Sequence, residues 1–254
     1  MNLLLPERPV GYKSPQQCVR AVTEEWGESN LYCANCNSDG LTRLKANTPT
    51  IDFDCPKCKA VFQLKGRKHP IGGILTDAAY QKMREAILSD RTPNLLALHY
   101  DADSWRVRDL ILIPHFAFSL AAVKKRPPLK ESARRHGWIG CNIILSNIPS
   151  DARIPMVSGG LASNPAEVRR LYRRLKPLAK LRLEARGWLL DVLNVVRSLE
   201  RRTFSLNDVY SHEAHLAELH PKNQHVQPKI RQQLQLLRDK GFIEFLGRGD
   251  YRLR

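Results

Sequence analysis

The stretch DFDCPKCKAVFQLKG, residues 52–66, places a pair of cysteines inside an alternating pattern of apolar and polar residues. Alternation on both sides of the cysteines predicts two β-strands joined by a short turn. Side chains two positions apart on a strand point to the same face. Asp52 should therefore point with Asp54, and Gln63 with Lys65, so that the hairpin gathers carboxylate, amide and ammonium groups on one surface.

A second pair of cysteines lies upstream, and eighteen residues separate the two CxxC motifs. Two short turns of this kind present four thiolates to one tetrahedral Zn²⁺. An intracellular setting argues against two disulfides, and four sulfur ligands leave no open position for substrate or water. We therefore expect a structural zinc ion, with Cys18 and Cys141 as buried thiols. The expected zinc ligands are Cys33, Cys36, Cys55 and Cys58.

The chain is strongly basic, with a formal net charge of +16 over 254 residues. Residues 124–186 hold fifteen Lys and Arg against four Asp and Glu. This excess favours a polyanionic partner, with nucleic acid ahead of an anionic membrane surface, although a solvated helix face with a linker stays an alternative. Apolar runs are shorter than the roughly 18 residues of a membrane span, and the opening MNLLLPERPV is too short for a signal peptide. We expect a soluble, cytoplasmic protein without a membrane partner.

The pattern from Gly187 onward is helical and then alternating, which is the order of a winged helix. The first predicted helix has one apolar stripe, and the SLND sequence at 205–208 is a capping box that begins a second. Pro228 suits the first turn of a third helix and Gly241 the residue after its end. Alternation around the GRGD sequence at 247–250 then predicts a β-hairpin. The stripe comprises Trp188, Leu189, Val192, Leu193, Val196 and Leu199.

The third helix of a winged helix usually enters the major groove of DNA. Ile230, Leu234 and Leu237 should face the core, while Arg248 at the tip of the wing should contact phosphate. A winged helix that binds protein stays an alternative. The polar residues expected to divide between the groove and solvent are Lys229, Arg231, Gln232, Gln233 and Gln235.

Two longer motifs, ARRHGWIGCNI at 133–143 and KIRQQLQLLRDKGFIEFLGRGDYR at 229–252, add to the cysteine pairs and the hairpin. Together they resemble the DpnI-like family of methyl-directed restriction endonucleases, from about Tyr12 to the C-terminus. The resemblance implies cleavage of double-stranded DNA at GATC when its adenine is N6-methylated. It also implies an α/β fold: a PD-(D/E)xK nuclease domain with an inserted four-cysteine zinc site over residues 1–182, then a winged helix over 183–254.

The same resemblance assigns the catalytic residues. The family's catalytic Asp falls on Asp52 and its Lys on Lys65, and the family's middle carboxylate, a Glu, falls on Gln63. Asp52 and Gln63 would then hold Mg²⁺, while Lys65 would position or activate the attacking water. A Gln carries no charge, so metal binding should weaken unless another carboxylate restores it. The candidates for that carboxylate are Asp54, Asp77, Glu24 and Glu25.

Recognition of the methyl group is also implied by the resemblance, which places Trp138 at the methylated adenines, with Arg134 and Arg135 beside it. Taken alone, a Trp between glycines is more typical of a core. Burying one methyl group contributes only about 0.8 kcal/mol, which favours a second reader in the same chain. Two alternatives stay open: a reader of methylated DNA that does not cleave, and a zinc-ribbon transcription factor indifferent to methylation. With a single active site per chain, we expect a monomer.

Overall fold

A mixed β-sheet forms the centre of the N-terminal part of the molecule. The computed structural model describes residues 1–9, 11, 14–45, 48 and 50–254; Tyr12, near which the resemblance begins, lies outside the described residues. The strands are β1 (Thr42–Arg43), β2 (Phe53–Asp54), β3 (Val61–Arg67), β4 (Ile74–Ala79), β5 (Asn94–Asp101), β6 (Arg106–Ile113), β7 (Val123–Lys125), β8 (Gly140–Ile144), β9 (Ile154–Ser158), β10 (Leu161–Ala162), β11 (Thr203–Ser205), β12 (Ile243–Gly247) and β13 (Asp250–Leu253).

The helices flank this sheet and then build the C-terminal part. They are α1 (Pro15–Asn30), α2 (Tyr80–Leu88), α3 (Pro165–Leu175), α4 (Leu183–Ser198), α5 (Leu206–Tyr210), α6 (Glu213–Leu219) and α7 (Val226–Asp239). None of the helices in the described part of the chain is long and apolar enough to cross a membrane.

The large sheet has the strand order β1-β2-β3-β5-β6-β9-β10. β2 and β3 are the antiparallel arms of the predicted hairpin, with Phe53 opposite Phe62, and β3 runs parallel to β5. The side chains of Phe62 and Leu64 are buried, whereas those of Gln63 and Lys65 are partly exposed. β3 therefore anchors the hairpin in the core with one set of alternate side chains and presents the other set.

Helix α1 packs directly on the hairpin because two glycines admit it. A Cβ on Gly27 of the helix would lie 2.7 Å from the Phe53 ring, and one on Gly66 of β3 would lie 2.8 Å from Thr23. Val22 and Trp26 fill the buried side of the helix. The close approach brings the side chains of α1 to the polar face of β3.

A second sheet, with the order β4-β8-β7, stands beside the first. β4 pairs antiparallel with β8, which places Asp77 opposite Cys141 and Ala79 opposite Gly140. The loop between β7 and β8 contains Trp138 together with several basic residues. This sheet therefore links the candidate methyl reader to the strand that follows the hairpin.

The C-terminal part is a winged helix, as the sequence predicts. Ser205 and Asp208 form the expected capping box, in which each residue's side chain accepts a hydrogen bond from the other's backbone N–H. Strands β12 and β13 form the wing around Gly247, and β13 also pairs with β11. The helical stripe of α4 is buried except for Leu199, which is partly buried. The sequence reading missed the short helix α6 and placed the start of α4 four residues late.

Ion pairs and hydrogen bonds join the two parts. The guanidinium of Arg186 on α4 is buried and pairs with Asp90, and Arg197 pairs with Asp151 through two hydrogen bonds. The fold class is confirmed: a mixed α/β domain with a large sheet and a four-cysteine cluster, followed by a helix-turn-helix domain of the winged type.

Candidate active site and DNA-binding surfaces

Asp52 is fastened to β3 by two hydrogen bonds, although it precedes the regular part of β2. Its backbone N–H donates to Phe62 O at 2.9 Å, and its Oδ2 accepts from the Leu64 N–H at 2.8 Å. The carboxylate is therefore held beside the two residues of β3 that flank Leu64, which are Gln63 and Lys65.

These three side chains line one open cavity of about 720 Å³. The structure thus brings together Asp52, Gln63 and Lys65, the three residues assigned to catalysis from the sequence. Arg20, from α1, lies on the same wall. The cavity is large enough to admit a phosphate group with its surrounding water.

Lys65 forms an ion pair with Asp77 of β4. The Asp77 side chain is only 3% exposed, whereas that of Lys65 is 27% exposed. A buried carboxylate thus holds the lysine ammonium in place, while part of the lysine side chain stays exposed to solvent. This contact joins the large sheet to the second sheet at the candidate active site.

Asp52 also belongs to a network of charges with α1. Arg20 donates from Nε to Glu24 at 2.5 Å and from Nη2 to Asp52 Oδ1 at 3.1 Å. The second oxygen of Glu24 accepts from Arg43 of β1 at 2.9 Å. The sequence reading missed both arginines. The spacing of Arg20 and Glu24, four residues apart on a helix, is the signal that could have found the first of them.

The environment of Asp52 raises its pKa above the ordinary value of an aspartate. Burial is the main cause, and repulsion from Glu24 adds to it, while the Leu64 N–H, Arg20 and Lys65 act in the opposite direction. An acid in this position binds protons more readily than usual, so protonation competes with binding of a cation to the carboxylate.

Two of the four carboxylates proposed to compensate for Gln63 lie at the site, and two do not. Asp77 contacts Lys65, and Glu24 reaches Asp52 through Arg20. Glu25 faces solvent, and Asp54, which was expected to share the surface of Asp52, does not line the cavity. Asp52 lies in a bend outside β2, so strand alternation does not relate the two aspartates.

The four cysteines of the CxxC motifs form one cluster, in which all four Sγ atoms lie within 4.8 Å of one another. Cys33 and Cys58 are 3.6 Å apart, and Cys36 and Cys55 are 3.5 Å apart. Tetrahedral zinc with bonds of about 2.3 Å separates its sulfur ligands by about 3.8 Å. The cluster is thus compatible with the structural zinc expected from the spacing.

The surroundings act differently on the thiols of the cluster, since burial raises the pKa of Cys33 and of Cys36. Burial opposes ionisation of Cys55, but the backbone N–H groups of Cys58 and Lys57 outweigh it and hold the pKa of Cys55 at about 6. Arg169 of α3 binds the carbonyls of Cys33 at 3.1 Å and Ser38 at 2.9 Å. Helix α3 therefore fastens the first CxxC loop to the domain.

Trp138 is half-buried at the base of the β7–β8 loop, with the exposed Arg134 and Arg135 nearby. The Arg135 guanidinium lies 4.8 Å from the centre of the indole ring. A Cβ on Gly140 would lie 2.8 Å from the ring, so the indole packs on bare backbone. The loop also contains Arg126 and Lys130, and it follows Lys124 and Lys125 at the end of β7, so this region is strongly cationic.

On the winged helix, the structure divides the expected DNA contacts. Arg231, Gln232 and Arg248 are exposed and Lys229 is partly exposed. The prediction that Gln233 contacts DNA is corrected, because its side chain is 0% exposed and lies inside the helical core. The helix turns this position towards the core between Ile230 and Leu237. Gln233 is thus unable to reach the groove in this conformation.

Two family models match the chain over nearly its whole length. The model of the Dam-replacing family, DpnI, matches residues 1–181, and that of the Dam-replacing HTH domain, DpnI_C, matches residues 184–253. The chain belongs to the DpnI family. The resemblance read from the sequence motifs is confirmed.

Membership of the DpnI family indicates a methyl-dependent restriction enzyme with a DNA-binding C-terminal domain. The first DpnI model spans the hairpin, the cysteine cluster and the Trp138 loop, and the second spans α4 to the wing. What distinguishes this chain from the family pattern stated above is the neutral Gln63 in the lining of the cavity.

Proposed function

We propose that this protein is a methyl-dependent endonuclease that hydrolyses double-stranded DNA at GATC sites with N6-methylated adenine, using Mg²⁺. One observation carries the proposal: Asp52, Gln63 and Lys65 line one open cavity, and the hairpin that contains them is joined to the four-cysteine cluster through Cys55 and Cys58. Membership of the DpnI family supports it.

Oxygen ligands for the magnesium ion are present in this cavity. The Asp52 carboxylate and the Gln63 amide oxygen would hold the ion, and both are of the hard type that Mg²⁺ prefers. The bound ion would supply positive charge beside the scissile phosphate. Lys65, held by Asp77, would orient a water molecule for attack. The water oxygen loses one proton to solvent and bonds to phosphorus as the bond to the leaving oxygen breaks, and the leaving oxygen takes up a proton from solvent.

Recognition would be shared between the two parts of the chain. The indole of Trp138 offers an apolar face to the methyl groups, and Arg134 and Arg135 would bind phosphates around it. On the winged helix, Arg231 and Gln232 would reach base edges, with Lys229 and Arg248 on the backbone. Two readers of one mark multiply their modest individual preferences.

We also propose that the chain acts as a monomer with two domains, residues 1–182 for catalysis and 183–254 for DNA binding. The described residues form one candidate active site per chain, so the two strands would be cut in succession. Sedimentation of the protein with one methylated duplex should give a single chain per duplex.

A non-cleaving reader of methylated DNA is the second candidate, and the charge of the site favours it. Glu24, Asp52 and Asp77 are matched by Arg20, Arg43 and Lys65, so three formal negative charges meet three positive ones. With Gln63 neutral, the cluster carries no net formal charge to attract a cation.

Digestion of a plasmid grown with or without adenine methylation at GATC decides between these functions. Cleavage of the methylated plasmid alone, dependent on Mg²⁺ and lost in Asp52→Asn, supports the endonuclease. Retarded but intact methylated DNA supports the reader. Binding that is indifferent to methylation would contradict both and favour a transcription factor.

A further inference from the structure

Arg20 lies at the candidate active site but has no function in the proposed catalysis by Asp52, Gln63 and Lys65. Its guanidinium binds Glu24 and Asp52 through Nε and Nη2, which leaves Nη1 outside these two bonds. The side chain is 47% exposed and lines the same cavity. One edge of the guanidinium is thus fixed by carboxylates, and the rest is open to whatever enters the cavity.

The carboxylate that fixes Arg20 is itself firmly placed. Glu24 is 4% exposed, and Arg43 binds its second oxygen. The helix that carries both residues lies close to β3 because Gly66 has no side chain. If Asp52 turns to another ligand, Glu24 still holds the guanidinium in place. A pre-placed group of this kind loses little entropy when it binds a phosphate.

The formal charges of the ion-pair cluster indicate a function for Arg20. A glutamate at position 63 would leave the cluster with one net negative charge, whereas Gln63 leaves it neutral. The site is therefore less attractive to a divalent cation and less repulsive to a phosphate. Charge that builds on the phosphate during hydrolysis then depends more on the protein's own cations. Lys65 is engaged by Asp77. Lys68 also lines the cavity and is exposed, whereas Arg20 is fixed by two carboxylates and keeps an open edge.

We infer that Arg20 is a further catalytic residue, whose guanidinium binds a non-bridging oxygen of the scissile phosphate. It stabilises the charge that develops while water bonds to phosphorus and the leaving oxygen departs. Arginine suits this role because its planar donors match phosphate oxygens. The inference rests on the proposed endonuclease function and deepens it.

The test compares single-turnover cleavage and binding for Arg20→Gln, Arg20→Lys and the wild type on one fully methylated GATC duplex. Cleavage is measured with Mg²⁺, and binding by fluorescence anisotropy with Ca²⁺ in its place. Arg20→Gln should lower the cleavage rate by about 10²–10³-fold, with the dissociation constant changed by less than about tenfold. Arg20→Lys, which keeps the charge but not the fork, should fall between. Arg170→Gln is the matched control, since Arg170 is an exposed helical arginine paired with Glu167.

Chemical rescue separates catalysis from a structural role. Ethylguanidinium added to Arg20→Ala should restore part of the cleavage rate, with no effect on Arg170→Gln. If Arg20→Ala does not fold, Arg20→Lys with an unchanged melting temperature takes its place, and its rate must then fall at least about tenfold. If the wild type and Arg20→Gln cleave equally fast, the inference about Arg20 is overturned and the endonuclease function stands. The same holds if Arg20→Gln loses DNA affinity by the same factor as it loses cleavage rate. A wild-type protein that never cleaves overturns the endonuclease function, and the inference with it.

Discussion

Lys65 on β3 and Asp77 on β4 form an ion pair that joins the two sheets at the candidate active site. Asp77 lies opposite Cys141 on β8, and Gly140, which pairs with Ala79 further along the same ladder, packs against the Trp138 indole. The strand that holds Lys65, the proposed catalytic lysine, is therefore paired with the strand that begins beneath Trp138, the proposed methyl reader.

Asp77→Asn should impair both catalysis and stability. The substitution leaves Lys65 without its negative partner, so the cleavage rate should fall by about 10–100-fold, as for other residues that orient an active-site group. Because Lys65 is partly exposed, the loss in unfolding free energy should be about 1–2 kcal/mol rather than the full value for a buried pair. Single-turnover cleavage and urea denaturation measure the two effects. Asp103→Asn, on an exposed turn, is the control, and unaltered cleavage in Asp77→Asn would refute this role.

Gln63→Glu should increase metal affinity. The neighbouring carboxylates are already engaged, Asp77 by Lys65 and Glu24 by Arg20 and Arg43, so a new charge at position 63 adds directly to the field at Asp52. We expect the Mg²⁺ concentration for half-maximal cleavage to fall about tenfold. Calorimetric titration with Ca²⁺ gives the binding constant without turnover. Gln16→Glu, which places a charge elsewhere in the same cavity, should do much less. No change in Gln63→Glu would mean that another carboxylate already binds the ion.

Removal of zinc should destabilise the hairpin that holds the active site. Cys58→Ser removes one of the four sulfur ligands. If the free energy of unfolding falls by a few kcal/mol, the melting temperature should fall by about 10 °C. Zinc content and thermal melting are the measurements, and added Mg²⁺ should not restore cleavage. Cys18→Ser, outside the cluster, serves as the control. Full zinc loss without a change in melting would show that the ion does not support the fold.

Trp138→Ala should reduce discrimination between methylated and unmethylated DNA. Two buried methyl groups contribute about 1.6 kcal/mol, so the ratio of dissociation constants should shrink by up to about fifteenfold. Gly140→Ala tests the position of the indole without removing it, since the added Cβ would lie 2.8 Å from the ring. Arg134→Gln should weaken binding to both DNAs alike. Discrimination that survives Trp138→Ala would assign the methyl reading to the winged helix.

Gln233→Leu should stabilise the protein and leave DNA binding unchanged. The Gln233 side chain is fully buried, and its Oε1 has no hydrogen-bond partner within the described residues. A leucine of similar size removes that unsatisfied group, which should increase the unfolding free energy by about 1 kcal/mol. Gln232→Leu, at the exposed neighbour, should weaken DNA binding and change stability by less than about 0.5 kcal/mol. Weaker DNA binding in Gln233→Leu would return this residue to the interface.

Local pattern was enough to predict the hairpin, the capping box and the cysteine cluster. Each of these depends on residues that are close in sequence or on a spacing that chemistry restricts, such as CxxC with its tetrahedral metal. Asp52, Gln63 and Lys65 could be found for the same reason, since they lie on adjoining arms of one hairpin. The family resemblance then supplied their roles.

Tertiary packing alone decided the rest of the site. Arg20 meets Asp52 only because α1 lies close to β3, and Asp77 meets Lys65 only because a second sheet stands beside the first. Gln233 was assigned to the wrong side of its helix because its polarity suggested solvent, whereas the rotation of α7 against α4 and the wing buries it. Spacing along the chain constrains what neighbours do. The partners of a charged side chain across two elements depend on how closely those elements pack.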